Sequence, residues 1–458
     1  MIENDAFKLL LINLFHLNPD DIANIFCTTF NKMMVLLVTL ADKHQACPYC
    51  GFTAPKIKEY VTKEITHSAL TTQKCIIKYR ARRYKCPCCG KTYYEFNPFV
   101  FKSQKISILT VHNILKDLKD FNETFTSVAR RYHVSPTSVS TIFDNHVDIG
   151  RNPLPEIINF DEVYAFKSEK SKYVCVLLDF KKQIPVDVLP NRKKEYLLNY
   201  FQKIPLEERK KVKYACSDMY EVYRDVVHKV FPCSCMLLDY FHLSQDFHRK
   251  MNEVRIKVMK GYKDDKASDE YYLLKKFNWL LFKNPEDEDK HGRLFDVERE
   301  RKYNSHFKSY MNYYDLRKKL LEINNDLTIC YSLKLELVDF YSKSTIDNAQ
   351  VNLEHLIRSC IDTNIEEMIA FSNNLINWKQ EIINSFTIVG TEYKVEADKG
   401  QVVVCNKKVN NAIIENRNKI IKCIKNNANG YTNWSRFRNR VMYVLDPNTT
   451  FSLEPREK

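Results

Sequence analysis

Glycine is scarce in this chain: eight residues in 458, about a quarter of the ~7% share usual in proteins. None of the eight (Gly51, Gly90, Gly150, Gly261, Gly292, Gly390, Gly400, Gly430) falls at G-x-G-x-x-G or G-x-x-x-x-G-K spacing. Dinucleotide-binding and P-loop readings therefore lose their main support. Long apolar runs are missing too. The longest near the start, Met33 to Ala41, is too short to span a bilayer and is followed by no cleavage pattern, so a soluble, cytoplasmic chain with no membrane partner is expected. Proline is nearly absent from one half. Twelve of the fifteen lie between Pro19 and Pro232, and only Pro285 interrupts the span from there to Pro447. That long proline-poor, charged stretch carries i, i+3, i+4 apolar spacing at Leu273, Leu274, Phe277, Leu280 and Leu281, a helical signature.

What is abundant is positive charge. Seventy-one Lys and Arg face 57 Asp and Glu, a net +14, and the excess is clustered. Residues 51–110 hold twelve basic residues against Glu59, Glu64 and Glu95; residues 401–440 hold nine against Glu415 alone. Clustered basic charge interleaved with Tyr and Phe favours a nucleic-acid partner. The fifteen cysteines are an odd number without a secretory pattern, which favours reduced thiols and a metal site over a disulfide framework.

Four of those cysteines form two copies of C-P-x-C-G: Cys47-Pro48-Tyr49-Cys50-Gly51 and Cys86-Pro87-Cys88-Cys89-Gly90. Two such knuckles supply Cys47, Cys50, Cys86 and Cys89, the closed thiolate shell of one structural Zn²⁺. Cys88 could replace its neighbour, and Cys75 and His67 are weaker rivals. Strand-like residues Ile57 to Ile65 and Lys74 to Tyr84 suit a hairpin arm between the knuckles. The run containing Arg80, Arg82 and Arg83 leads into the second knuckle and suits phosphate contact. Next, Phe125 to Phe143 reads as a helix-turn-helix, with Ala129 at the crossing, Ser135 as N-cap and Pro136 in the first turn of the second helix. Arg130, Arg131, Thr137, Ser138 and Thr141, with Ser140, would then face DNA.

From Ile157 onward the pattern is β-β-β-α-β-α-β-α, the layout of a ribonuclease-H-like sheet. Asp161 follows the apolar run Ile157-Ile158-Asn159-Phe160, and Asp218 ends the strand Val212 to Ser217. In that sheet the first and fourth strands are adjacent, so the two carboxylates would meet at one edge and hold Mg²⁺ or Mn²⁺ for phosphoryl displacement. Glu415 is the candidate third carboxylate, with Glu354, Glu366 and Glu367 as rivals. Asp239 and His242 end the fifth strand and could support the site or simply cap and pack.

The order of knuckles, helix-turn-helix and carboxylate sheet resembles the DDE transposases of the bacterial ISL-three insertion-sequence family. The resemblance runs from about Cys47 to Leu445. It is carried by the knuckles, Asn159-Phe160-Asp161-Glu162-Val163, Ser217-Asp218-Met219-Tyr220, Asp239-Tyr240-Phe241-His242, Tyr272 to Leu281, Asn410 to Asn418, and Asn429-Gly430-Tyr431 with Trp434, Phe437, Arg438 and Arg440. The resemblance implies Asp161, Asp218 and Glu415 as a catalytic triad. It also implies a helical insertion within the catalytic domain and a role for Asp239 and His242 in handling flanking DNA. Ala412 and Asn416 stand where glycines are common in the family.

The expected architecture is multidomain α+β. It runs as an N-terminal helical segment (1–45, helices around Leu9–Leu14 and Ile22–Thr29), a zinc-binding module (46–105) and a helix-turn-helix (106–152). A ribonuclease-H-like catalytic core follows (153–260), then a large all-helical insertion (261–394), then the rest of the core with a basic C-terminal segment (395–458). The expected activity is Mg²⁺- or Mn²⁺-dependent transposition, with two catalytic ions and one structural Zn²⁺. Double-stranded DNA (element ends and target) is the partner of a homodimer or larger assembly at the bacterial nucleoid. Arg417, Lys419, Lys422 and Arg438 are expected along the DNA backbone. The alternative is a non-catalytic regulator that keeps only the zinc and helix-turn-helix functions.

Overall fold

The computed structural model describes residues 2–43, 45–68, 73–101, 104–166, 171–395 and 402–456. The chain starts with helix α1 (Ile2–Leu14) and strands β1 (Ile22–Phe30), β2 (Met33–Leu40), β3 (Lys56–Thr66), β4 (Cys75–Lys85) and β5 (Thr92–Tyr94). The order is β1-β2-β4-β3, with β5 against β4. The helix expected over Ile22–Thr29 is a strand. Asn31 and Lys32 both have positive φ (49° and 60°), the two-residue turn whose twist matches a hairpin, and β1 zips along β2 from Phe30↔Met33 to Ile22↔Leu40. Because β2 also pairs with β4, residues on both sides of position 45 share one sheet and one core, built on Leu11, Phe15, Ile25, Leu36, Val38, Ile65 and Ile77.

Three helices follow: α2 (Ile108–Asp117), α3 (Phe125–Arg131) and α4 (Pro136–His146). Each begins on a hydroxyl cap, Ser107, Thr124 and Ser135, and Pro136 takes the first turn of α4. Val111, Ile114, Leu115, Val128, Ala129, Val139 and Phe143 form their core.

The central sheet contains β6 (Ile157–Val163), β7 (Val174–Asp179), β8 (Pro185–Leu189), β9 (Tyr214–Ser217) and β10 (Cys235–Leu238). Their order is β10-β9-β6-β7-β8. The strands β6, β7 and β8 are antiparallel neighbours, while β9 and β10 run parallel to β6. Helices α5 (Lys194–Gln202), α6 (Leu206–Arg209) and α7 (Glu221–Val230) connect the strands. Period-two alternation sends Ile158, Phe160 and Leu177 to the face covered by α5 and α7. Val174, Val176, Leu178 and Val188 go to the opposite face, so both faces are apolar.

Helix α8 (Tyr240–Gly261) leads into α9 (Asp269–Lys276), and later come α10 (Tyr313–Glu322), α11 (Asn325–Lys343), α12 (Ala349–Asp362), α13 (Glu366–Asn377) and α14 (Lys379–Asn384). These pack around one core that extends from Leu238 to Phe386. The insertion is not all-helical. Short hairpins β11 (Glu288–Asp289) with β12 (Gly292–Arg293), and β13 (Lys302–Asn304) with β14 (Ser309–Met311), interrupt it. A hairpin of β15 (Ile388–Val395) and β16 (Val402–Lys408) straddles the boundary expected at 394/395. The chain returns through α15 (Ala412–Asn427) and α16 (Trp434–Leu445), whose Ile414, Ile421, Ile424, Phe437 and Val441 cover the second sheet face. Among the described residues no helix is long and apolar enough to cross a membrane.

The small helices are fastened to this core. The buried Arg440 guanidinium donates to the carbonyls of Asp120 and Glu123, both at 2.8 Å. Arg436 pairs with Asp144 at 2.6 Å. Ser68 links the N-terminal sheet to the same helices through Thr110 Oγ1 (2.8 Å) and Tyr132 O (2.9 Å).

Candidate active site

Strand register assembles the carboxylates. Asn159 pairs with Cys216 across the parallel β6–β9 ladder, so Asp161 and Asp218, two residues further along each strand direction, come side by side. Leu238 pairs with Ser217 in the β9–β10 ladder, which places Asp239 next along the same edge. These are the carboxyl ends of parallel strands, where open α/β sheets gather their ligands.

Helix α15 brings Glu415 to that edge, and a set of asparagines fixes it there. Asn159 donates from Nδ2 to Asn410 O (2.8 Å) and Asn411 Oδ1 (2.7 Å). One turn after Glu415, the buried Asn418 donates from Nδ2 to Asp161 Oδ2 at 2.8 Å. The other Asp161 oxygen accepts from the Glu162 amide at 2.7 Å. The donor atoms of Asp239, His242 and Glu415 all lie within 4.8 Å of one another. Beside the site, Arg192 pairs with Glu162 and lies over the rings of Tyr173 (4.7 Å) and Tyr220 (4.9 Å).

Electrostatically this is a site short of positive charge. Burial first, then the charge of Asp218 and also that of Glu415, push Asp161 up to about 7, against the opposing effects of His242 and Asn418. Burial likewise raises Asp218 and Asp239, with His242 opposing in both cases. Asp218 Oδ1, Asp239 Oδ2 and His242 Nε2 are buried without a hydrogen-bond partner among the described residues. Carboxylates left in that condition are suited to a divalent cation. The donor atoms that meet within 4.8 Å among the described residues are those of Asp239, His242 and Glu415, with Asp161 on β6 and Asp218 directly after β9 beside them. The asparagines had no assigned role; for Asn418 the available signal was its i+3 spacing from Glu415, which puts both on one helix face.

The four knuckle cysteines converge as expected. Cys47 and Cys89 Sγ are 3.7 Å apart, Cys50 and Cys86 Sγ 3.5 Å, close to the ~3.8 Å edge of a tetrahedron with Zn–S near 2.3 Å. Gly51 and Gly90 have φ of +73° and +71°, the conformation that glycine adopts freely. The Cys89 backbone amide leads in drawing the Cys86 thiol down to about 7, against the cost of burial. The rivals lie outside this cluster: Cys88 is not among the four converging thiols, Cys75 is buried in the sheet core, and His67 bonds Ser107 Oγ and Phe15 O, both at 2.9 Å.

Several arginines expected on DNA are instead engaged in ion pairs within the chain. Arg82 pairs with the buried Glu95 at 2.8 Å and donates to Leu40 O and Ala41 O. Arg131 pairs with Asp117 and Glu123. Arg438 pairs with Asp187 at 2.6 Å and donates to Ile149 O. Arg83 is paired with Glu59 at the surface, 2.7 Å. Arg417 is half-buried and donates to Gln183 O at 3.2 Å. Arg80, Arg130, Thr137, Thr141, Lys419 and Lys422 are exposed, and Ser138 is half-buried beside Ser135.

Residues 158–397, just over half of the chain, match the model of a DDE transposase family of the ISL3 type, described as transposase. The chain belongs to this DDE transposase family. It is also similar to the transposase for insertion sequence element IS1001 of Bordetella parapertussis, 19% identical over 409 residues that cover 89% of this chain and 90% of that protein. The family match contains Asp161, Asp218, Asp239 and His242 and ends before Glu415. In this transposase-family chain the placement of Glu415 therefore rests on α15 and its asparagine contacts.

Proposed function

We propose that the protein binds the terminal inverted repeats of an insertion sequence, hydrolyses a phosphodiester at each element end and joins the freed 3′-hydroxyl to target DNA. The observation that supports this reading is the β6–β9 register that sets Asp161 beside Asp218, with Asn418, one turn after Glu415 on α15, bonded to Asp161 at 2.8 Å. The antiparallel-then-parallel sheet is, on this reading, a ribonuclease-H-like core interrupted by the 261–394 insertion. Asp161, Asp218 and Glu415 would hold two Mg²⁺ or Mn²⁺ ions. Bound there, divalent cations supply polarisation of the scissile phosphate and lower the pKa of the attacking water.

The chain's own residues do the rest. Asn418 and the Glu162 amide fix both oxygens of Asp161, so the carboxylate enters the reaction already oriented. Arg192 balances Glu162 beside the site. Lys419 and Lys422, exposed on α15 after Glu415, run along the DNA backbone. A Zn²⁺ on Cys47, Cys50, Cys86 and Cys89 holds the N-terminal sheet, where Arg80 meets phosphate. Helices α3 and α4 act as a helix-turn-helix that presents Arg130, Thr137, Ser138 and Thr141 to the element end. Their attachment to α16 through Arg436 and Arg440 transmits end binding to the core. Two ends are processed together by a homodimer or larger assembly.

A strand-cleavage assay on end DNA with Mg²⁺ tests the proposal. Wild type is expected to cleave and Asp161→Ala not to. Equal cleavage by both removes the active-site assignment, and binding without cleavage by either leaves a DNA-binding regulator. Cleavage without strand joining leaves a nuclease of the same fold.

A further inference from the structure

Asp239 stands at the N-cap of α8, yet its side chain makes no capping hydrogen bond. Only 3% exposed, it directs Oδ2 into the site without a partner, as does His242 with Nε2. The two atoms are 4.0 Å apart. That is too long for the 2.7–3.2 Å of a hydrogen bond, so the pair is not a simple Asp–His contact that orients a ring. Ligand atoms that share one octahedral ion at about 2.1 Å lie roughly 3 Å apart when adjacent and about 4.2 Å apart when opposite. The Asp239–His242 gap falls inside that window. Glu415 supplies a third donor within 4.8 Å of both. It arrives from α15, whereas the other two come from the β10–α8 junction, so the three approach from different elements.

We infer that Asp239, His242 and Glu415 form a divalent-cation position of their own, sharing Glu415 with the Asp161–Asp218 pair and accepting Mn²⁺ through an imidazole nitrogen. The inference rests on the catalytic reading in one respect, the sharing of Glu415. An imidazole in the ligand set favours Mn²⁺ and later first-row ions, because Mg²⁺ prefers oxygen donors and retained waters. This mixed position at the end of β10 then differs in chemistry from the all-carboxylate positions of Asp161, Asp218 and Glu415. Glu415 couples them, because one carboxylate can offer an oxygen to each.

The test uses the full-length, zinc-loaded protein and Mn²⁺ as the probe. Bound Mn²⁺ is counted by electron paramagnetic resonance, and histidine ligation is read from ¹⁴N modulation of the electron spin echo. Wild type is expected to show the ¹⁴N signal. His242→Gln is expected to lose it and to weaken one Mn²⁺ position by at least about tenfold, with zinc content and melting temperature unchanged. Asp239→Asn is expected to weaken the same position. Asp161→Asn is expected to reduce Mn²⁺ binding at the all-carboxylate positions and keep the ¹⁴N signal. Mn²⁺ binding without ¹⁴N modulation, or modulation that survives His242→Gln, overturns the inference and leaves the catalytic reading standing. Absence of any Mn²⁺ binding overturns both.

Discussion

Replacing Asp161 by asparagine is expected to stabilise the metal-free protein at neutral pH while destroying its activity. The carboxyl rises from 3.8 to about 7, first through burial and then through Asp218. A carboxyl whose folded pKa lies above its unfolded value contributes stability only while protonated. The metal-free fold therefore loses stability as pH rises from about 4 through 7. At about 1.36 kcal/mol per unit, the full cost at pH 8 is about 4 kcal/mol as an upper bound. Asparagine fits the same space. Its oxygen keeps the Glu162 amide bond, and the Asn418 amide can turn, since Asn418 Oδ1 is buried without a partner among the described residues and can accept from the new Nδ2. Melting of both proteins in chelator, freed of Mg²⁺ but with zinc retained, measures the effect between pH 5 and 8. The variant should gain about 2–4 kcal/mol over wild type at pH 8, and the gain should shrink steadily towards pH 5. Added Mg²⁺ should stabilise wild type more than the variant. A variant no more stable at pH 8, or a gain that ignores pH, would refute the reasoning.

Three further outcomes are expected. Cys47→Ser, or zinc removal by a strong chelator, should unfold the N-terminal sheet and abolish end binding while the central sheet still melts cooperatively, as zinc analysis with circular dichroism would show. Arg80→Ala should weaken DNA binding and its salt dependence without changing stability; Arg82→Ala should instead cost about 2–4 kcal/mol, because Glu95 is left buried and unpaired. Comparative DNA titrations and denaturant melts separate the two. Asn418→Ala should raise the Mg²⁺ concentration needed for half-maximal cleavage by about 10–100-fold, an effect that a mere packing defect would not confine to the metal dependence.

Much of the central sheet could be read from the chain itself. Ile157 to Tyr164, Tyr173 to Asp179 and Ser234 to Leu238 read as short β-rich runs between polar connections, with Asp161 within or at the end of the first and Asp218 ending the strand Val212 to Ser217; the structure puts Asp161 inside β6 (Ile157–Val163). The zinc knuckles were equally legible, because C-P-x-C-G encodes both the ligand spacing and the left-handed glycine. Ile22 to Thr29 was not. Its apolar residues fit either period, and the deciding signal, the Asn31-Lys32 turn, is weak without a glycine. Arginine roles were only partly legible because charge clustering cannot separate paired from free guanidinium groups. Arg82 meets Glu95 across a strand pairing, and Arg438 meets Asp187 from 251 positions away. The short hairpins near Asp289 and Tyr303 were hidden for a similar reason, since strands of two or three residues carry no readable period.

Glu415 is the decisive residue, because it lies beyond the family match and is placed by α15 and the asparagine contacts around it. The decisive measurement is the single-turnover rate of Mg²⁺-dependent cleavage at an element end by Glu415→Gln, with Glu354→Gln, a change at one of the rival carboxylates, beside it. The account predicts a loss of at least about 10³-fold for Glu415→Gln and a near wild-type rate for Glu354→Gln. Cleavage by Glu415→Gln within tenfold of wild type would contradict it.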